Sequence, residues 1–424
     1  MNVAILGVGT VGEQVAKILI QNQKLISARA GKEIKPVIGV VRNLDKKRDV
    51  NLPLTNDINS VINRDDIDIY VELMGGVDEP YRVVSEILHR KKAVVTANKA
   101  LLAYHRFKLQ NLTGDTPFGF EASVAGGIPI IKALREGLSA NQILSINGIM
   151  NGTSNYILTS MMNSGVKFED ALKKAQELGY AEADPTFDIG GFDTAHKLLI
   201  LASIAYGVHG DPEDILIEGI EGITKDDIFF AQDFEYVIKL LAIAKKVGDK
   251  VELRVHPALV AKDKMIAKVD GVMNAVSLAG DAVGETMFYG PGAGGSATAS
   301  AVISDLIDIA RGTNFPMMGY KSPLEIKPLE LLAQDEIRTK YYFRLKVDDK
   351  VGVLARITNL MSENNLSIDS FLQKPHIKNE ENDKKATLFF TTHTSREADV
   401  KRVIRILEEQ EFIREKPFMI RIEQ

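Results

Sequence analysis

Between Glu182 and Lys197 the chain sets four carboxylates (Glu182, Asp184, Asp188 and Asp193) and one lysine within 16 positions. Asp193 and Lys197 are four residues apart, so on a helix they share a face. Such a pair is either an ordinary exposed salt bridge or a lysine held by a carboxylate and placed to move a proton. A second lysine, Lys99, follows Thr96-Ala97-Asn98 at the end of an apolar strand. Ligands of an open α/β sheet sit outside the carboxyl ends of its strands. Thr96 and Lys99 there face a cofactor crevice, unless Lys99 only snorkels at the surface. His196, beside the pair, reads as a packed or surface residue.

Three further segments have the composition of binding turns. Gly7-Val8-Gly9-Thr10-Val11-Gly12 follows an apolar strand and opens a helix. Gly7 allows the turn, Gly9 lets a pyrophosphate approach the backbone, and Gly12 permits close helix–sheet packing. The helix N-terminus, with Thr10 and Val11, then faces the phosphates. After the second strand stands Arg42, with Lys46, Lys47 and Arg48 nearby. An NAD-selective site has an acidic residue there. The basic one suits the 2′-phosphate of NADP, with NAD not excluded; the alternative is a solvated basic loop. Glu121-Ala-Ser-Val124-Ala-Gly126-Gly127-Ile128-Pro129 is either a structural turn or a set of oxygens for a hard cation. Tyr289 to Gly295, including Gly292, opens a long helix and is a further candidate anion or cofactor contact.

Composition narrows the class. The chain has 424 residues, 45% apolar and 26% charged, with net charge −5. That balance belongs to a folded chain of several domains, and mild acidity argues against nucleic acid or anionic membranes as partners. Without cysteine, and with seven scattered histidines, no disulfide framework, thiolate nucleophile or transition-metal site is expected. The first residues enter a strand with no leader composition, and the longest mainly apolar run, 198–205, is short of the ~20 residues that span a bilayer. A cytoplasmic, soluble protein is the expectation.

The elements that must position these residues fall into three parts. Residues 1–130 alternate strands (3–6, 36–41, 67–73, 93–96) with helices (12–21, 80–90, 101–112), which predicts a Rossmann-like parallel α/β domain, with a return segment near 290–315. Residues 131–315 read as an α+β substrate domain: strands at 143–150, 250–260, 272–278 and 282–288, helices at 155–164, 168–178, 194–206 and 297–311. Residues 316–340, punctuated by Pro316, Pro323 and Pro328, read as a linker. Residues 341–424 give β-α-β-β-α-β, the ferredoxin-like order, with 374–385 as a polar, mobile loop. The linker predicts that a chain cut near Thr339 keeps its catalytic core.

Taken together, GVGTVG (7–12), TANKALLA (96–103), EASVAGGIPIIKAL (121–134), NGIMNGTSNYIL (147–158), GYAEADPTFDIGGFDTAHK (179–197) and YGPGAGGSATASAV (289–302) resemble homoserine dehydrogenases. Residues 341–424 are similar to an ACT domain, an amino-acid-sensing module. The resemblance implies reversible, nicotinamide-dependent interconversion of L-homoserine and L-aspartate 4-semialdehyde, on the route to threonine, methionine and isoleucine. It implies Lys197 as acid/base, Lys99 as its companion, and Glu182, Asp188 and Asp193 as residues that engage substrate or organise the lysine. It implies a monovalent cation such as Na+ at Glu121, Val124, Gly126 and Ile128. It further implies a homo-oligomer, dimer or tetramer, with a dimerising substrate domain. An effector such as L-threonine would sit near Asp348, Gly352, Asn364 and Ser367. Val351 departs from the family pattern, which commonly has proline before this glycine. Two other readings stand: a non-catalytic sensor of amino acid and cofactor, and a dehydrogenase of another small amino or hydroxy acid.

Overall fold

The structure, a computed structural model, describes residues 1–321, 327–373 and 385–423. A six-stranded parallel sheet forms from the first 120 residues, in the order 54–55, 35–40, 2–6, 69–72, 93–96, 118–119. Its strands carry β-branched, fully buried runs such as Val3–Leu6 and Ile69–Val71, the pattern of a sheet covered on both faces. The glycine turn is forced by contact. Gly7 has φ +105, and a β-carbon there would lie 2.5 Å from the Leu73 carbonyl oxygen. One on Gly12 would lie 2.3 Å from that of Gly7. The return segment closes this part: helix Gly295–Arg311 packs on helix Thr10–Gln21 through Ala299, Val302, Ile303 and Leu306.

The remaining strands join one mixed sheet, in the order 284–291, 273–280, 143–149, 236–247, 250–261, 418–423, 338–348, 385–392, 368–373. Strand Tyr236–Val247 was not anticipated. Its run Leu240–Ala244 is apolar throughout, which periodicity alone assigns to neither helix nor strand. The signal that marks it is Gly248-Asp249, a two-residue connection that pairs Val247 with Lys250, with Gly248 at φ +59, as a tight hairpin demands. Helix Lys225–Asp233 was also unforeseen; it opens on a capping box between Thr224 and Asp227.

The C-terminal module has the expected order: strand Arg338–Asp348, helix Val353–Glu363, strands Ile368–Gln373 and Lys385–Thr392, helix Glu397–Glu408 and strand Phe418–Glu423. The expected mobile loop lies outside the described residues except Lys385, which begins a strand. The module's strands extend the mixed sheet of the preceding residues rather than forming a sheet of their own. Its last strand runs parallel to Lys250–Ala261, pairing Ala258 with Arg421 and Val260 with Glu423. Within the linker, Glu330–Leu331 pairs with Lys250–Val251. Buried charges pin the joint. Arg421, fully buried, donates to Glu218 (2.7 and 2.8 Å) and to Glu397 (2.5 and 3.0 Å). Arg254, also buried, meets Glu252 and Glu423 and donates to Nε2 of His256. Tyr342 donates to Asp227 at 2.7 Å. Among the described residues no helix is long and apolar enough to cross a membrane.

Candidate active site

Two clefts meet at two lysines. The first, about 490 Å³, opens at the carboxyl ends of the 2–6, 69–72 and 93–96 strands and is lined by Gly7, Gly9 to Gly12, Gly75, Gly76, Asn98, Lys99, Ser123, Gly126, Lys197 and Gly292, among others. This is the point where strand order reverses, the usual seat of a dinucleotide. The first backbone bond of helix Thr10–Gln21 runs from Glu13 N to Gly9 O, so the N–H groups of Thr10, Val11 and Gly12 have no partner inside the helix. Gly9 caps the helix without a side chain, and a β-carbon on it would meet nothing within 4 Å. Open donors at a positive helix end fit a pyrophosphate.

The second cleft, about 440 Å³, is lined by Met150 to Thr153, Gly179, Tyr180, Asp188, Asp193, Asn274 and Gly292, with Lys99 and Lys197 again. Asp193 and Lys197 occupy the first turns of helix Phe192–Tyr206. The Lys197 ammonium donates to Asp193 Oδ2 at 2.7 Å and to the Met150 carbonyl at 2.6 Å. An ammonium has three donors, so one position is left for a ligand. Lys99, first residue of helix Lys99–Thr113, pairs with Asp193 Oδ1. One buried carboxylate therefore bridges two cations. Asn151 fixes that carboxylate: its Nδ2 donates to Asp193 Oδ2 (2.9 Å) and to Asp188 Oδ1 (2.7 Å), while its Oδ1 caps helix Gly152–Ser164 at Ser154 N.

The electrostatics follow from this packing. Burial alone would raise the Asp193 pKa, but the charges of Lys197 and Lys99 outweigh it and hold the carboxyl well below the usual range. Burial lowers the Lys197 pKa; Asp193 opposes that and Lys99 adds to it, leaving the net shift downward. Burial raises the Asp188 pKa, opposed by the Asn151 hydrogen bond.

The sequence-read residues do not all converge. Gly7, Gly9, Thr10, Val11, Gly12, Lys99 and Gly292 line the first cleft; Asp188 and Asp193 line the second. Thr96 is buried one layer below, donating to Glu72 (2.6 Å) and accepting from Asn98 N. Glu182 is exposed and outside the described lining; its carbonyl accepts from Gln176. Arg42 is exposed beyond the second strand, and its neighbour Arg48 folds back onto the Val8 carbonyl at 2.8 Å. Glu121 is buried, its carboxylate accepting from Ile131 N (2.9 Å) and Lys132 N (2.8 Å). Its pKa is pushed up to about 7 by burial, with nearby Asp305 adding to it. Val124 and Ile128 are buried beside it, and Gly126 lines the first cleft. The Val124 and Gly126 carbonyls accept no bond from the described backbone, and that of Ile128 accepts one from Ile130 N. A buried carboxylate beside open carbonyls suits a hard cation. Among the described residues no group of three or more His, Cys, Asp or Glu forms a metal cluster.

Asn98 and Asn151 were missed as site residues. Their signal was positional: each precedes a helix and caps it. Asp348 and Gly352 lie at one end of helix Val353–Glu363, with Asn364 and Ser367 at the other. Asp348 is held below the usual carboxylate range by Arg414, with Lys350 adding to it, and Gly352 has φ +90.

Comparison with known proteins agrees with this layout. Residues 129–307 match the family model for homoserine dehydrogenase, 7–116 that for the NAD-binding domain of homoserine dehydrogenase, and 341–412 that for the ACT domain. A homoserine dehydrogenase of Helicobacter pylori is 51% identical over 423 residues, covering 100% of this chain and 99% of that protein. One of Neisseria gonorrhoeae is 41% identical, covering 100% and 98%. A crystal structure of a homoserine dehydrogenase from Thiobacillus denitrificans superposes with a TM-score of 0.93 at 43% identity, covering 100% of this chain and 98% of that one. A hyperthermophilic archaeal homoserine dehydrogenase in complex with NADPH gives 0.62 at 28% identity, covering 72% and 96%.

Proposed function

The chain belongs to the homoserine dehydrogenase family, and on that premise we propose how its residues interconvert L-homoserine and L-aspartate 4-semialdehyde. It is an oxidoreductase with a nicotinamide dinucleotide cofactor and a C-terminal ACT domain. The observation that carries the mechanism is the Asp193 carboxylate bridging Lys197 and Lys99 where the two clefts meet. A bound nicotinamide supplies the hydride acceptor or donor. Lys197 Nζ takes the hydroxyl proton as the C–H and O–H bonds of homoserine give way to the carbonyl, and returns it in reverse. Burial lowers the pKa of Lys197, which prepares it for that exchange. Lys99 holds Asp193 from the cofactor side. Asp188, which lines the second cleft, receives the substrate ammonium; Glu182, outside that lining, would have to reach it from the surface. A non-catalytic sensor is not favoured, since sensing needs no pair of lysines on one carboxylate.

The monovalent cation, Na+ for instance, would be held by Glu121 and the carbonyls of Val124, Gly126 and Ile128, where its charge would offset the burial of Glu121. The cofactor is NADP in preference to NAD, on the strength of Arg42 and the basic loop it begins. A charge-assisted arginine–phosphate contact contributes about 1.5–3 kcal/mol. Arg42→Ala should therefore raise KM for NADP by about tenfold or more and hardly move that for NAD. Initial rates with homoserine against both cofactors test this, and an equal effect on both leaves Arg42 a loop residue.

The ACT module binds an amino-acid effector, L-threonine by its place as a pathway product, between two copies of the chain in a homo-oligomer. A helix of 11 residues is ~16 Å long. Asp348 and Gly352 at one end, and Asn364 and Ser367 at the other, reach one small ligand only if they come from different copies. Gly352→Asp adds a side chain at positive φ and a charge at the helix start. It should abolish inhibition by threonine in rate assays; inhibition of unchanged strength would place the effector elsewhere.

A further inference from the structure

Glu72 ends strand Ile69–Glu72 fully buried, and no step of the reaction above uses it. A buried carboxylate must find donors for both oxygens, and here they come from two segments that border the first cleft. Oε1 accepts from Met74 N at 2.7 Å, within the stretch Leu73 to Gly76. Oε2 accepts from the Thr96 hydroxyl at 2.6 Å, its register partner at the end of the neighbouring strand.

Further bonds close a ring. Thr96 Oγ1 accepts from Asn98 N (3.0 Å), and Asn98 Nδ2 donates to the Gly76 carbonyl (2.8 Å). Asn98 Oδ1 accepts from Leu101 N (3.0 Å) and so caps the helix whose first residue is Lys99. Gly75 and Gly76 stand at φ +76 and +81, and the freedom of glycine makes this bend depend on such bonds. One acceptor-only group thus ties together the bend that lines the cleft and the start of the Lys99 helix. The Lys99 ammonium in turn pairs with Asp193, so that pair depends on where the helix begins.

We infer that Glu72 is a positioning residue for the reaction: through Thr96 and Asn98 it sets the start of helix Lys99–Thr113 and holds the Lys99 ammonium on Asp193. This rests on the reading of Lys197 as the proton acceptor and Lys99 as its companion. The charges acting on Lys197 are Asp193 and Asp188, which raise its pKa, and Lys99, which lowers it. Burial lowers the pKa of the adjacent His196, which is therefore uncharged above pH 7. Once Lys99 leaves Asp193, Lys197 loses a cationic neighbour and its pKa rises. The rising limb of rate against pH then moves up. A cleft loosened without that link would change kcat or the KM for cofactor and leave the limb in place.

The test is the pH profile of kcat for homoserine oxidation by the full chain. It compares the natural protein with Lys99→Met, Glu72→Gln, Thr96→Val and the double variant Thr96→Val with Lys99→Met. Glu72→Gln keeps the size of the side chain, but whichever way its amide turns, a donor meets a donor. Lys99→Met should move the limb up by about one unit or more. Glu72→Gln and Thr96→Val should move it in the same direction and lower kcat by about tenfold or more. The double variant should move it no further than Lys99→Met alone. A thermal melt checks that each variant folds; Thr96→Val exchanges a hydroxyl for a methyl and decides the matter should Glu72→Gln not accumulate. The inference is overturned if Lys99→Met moves the limb while Thr96→Val and Glu72→Gln leave it in place, or if the Thr96→Val shift adds to that of Lys99→Met. If Lys99→Met itself leaves the limb in place, the reading of the two lysines fails and this inference falls with it.

Discussion

Lys197→Ala is expected to lower kcat for homoserine oxidation by about 10²–10⁴-fold, the usual share of a positioned acid/base group, while cofactor affinity stays near that of the natural protein. Lys197 lines the same cleft, but the open N–H groups of the first helix that would hold the pyrophosphate belong to the Gly7–Gly12 turn and the backbone that follows it. A variant that retains more than half of kcat would remove Lys197 from the chemistry. The pH profile adds an independent reading. Homoserine oxidation needs Lys197 uncharged, so the rate rises with pH through a pKa held below that of a free lysine. Asp193 raises that pKa, and Asp193→Asn should therefore shift the rising limb to lower pH as well as lower the rate. A limb that stays in place would mean another group accepts the proton.

Arg421→Met should cost about 3–5 kcal/mol, because it strands the buried Glu397 and half-exposed Glu218 without their cation. The thermal midpoint should fall by several degrees or more, and activity should be lost with the fold rather than with the site. A chain cut at Thr339 loses Glu423, Arg421 and Tyr342 together, and uncovers one edge of the Lys250–Ala261 strand. It should aggregate or fail to accumulate. A soluble, active 1–339 fragment by size-exclusion chromatography and rate assay would show that the joint contributes little.

The sequence discloses the parts of this protein that are local. The glycine turn, the Asp193–Lys197 spacing and the βαββαβ order each depend on residues a few positions apart, where period and turn chemistry are readable. What escaped depends on distant pairing. That Lys99 shares Asp193 follows from two helices beginning at the same cleft, which no spacing encodes. The Tyr236–Val247 strand was hidden by the short apolar run at its centre, Leu240–Ala244, which has no period to read. The joint was hidden by its charges: arginines are mostly exposed, so nothing in the sequence marks Arg254 and Arg421 as buried until strand pairing covers them. Glu121 remained a turn or a cation ligand in the sequence, and its buried carboxylate serves helix N–H groups whichever further role it has.

The parallel pairing of Lys250–Ala261 with Phe418–Glu423 also sets a schedule for biosynthesis. On the ribosome, the strand ending at Ala261 emerges long before Phe418 is made. At ~5–20 residues per second it waits on the order of ten seconds for its neighbour, with Arg254 lacking Glu423 all the while. During that interval the nascent chain presents an open strand edge and an incompletely neutralised guanidinium, the kind of surface that holdase chaperones cover. The catalytic helix packs against this same strand, so the sheet that supports it is complete only once the last strand has been made.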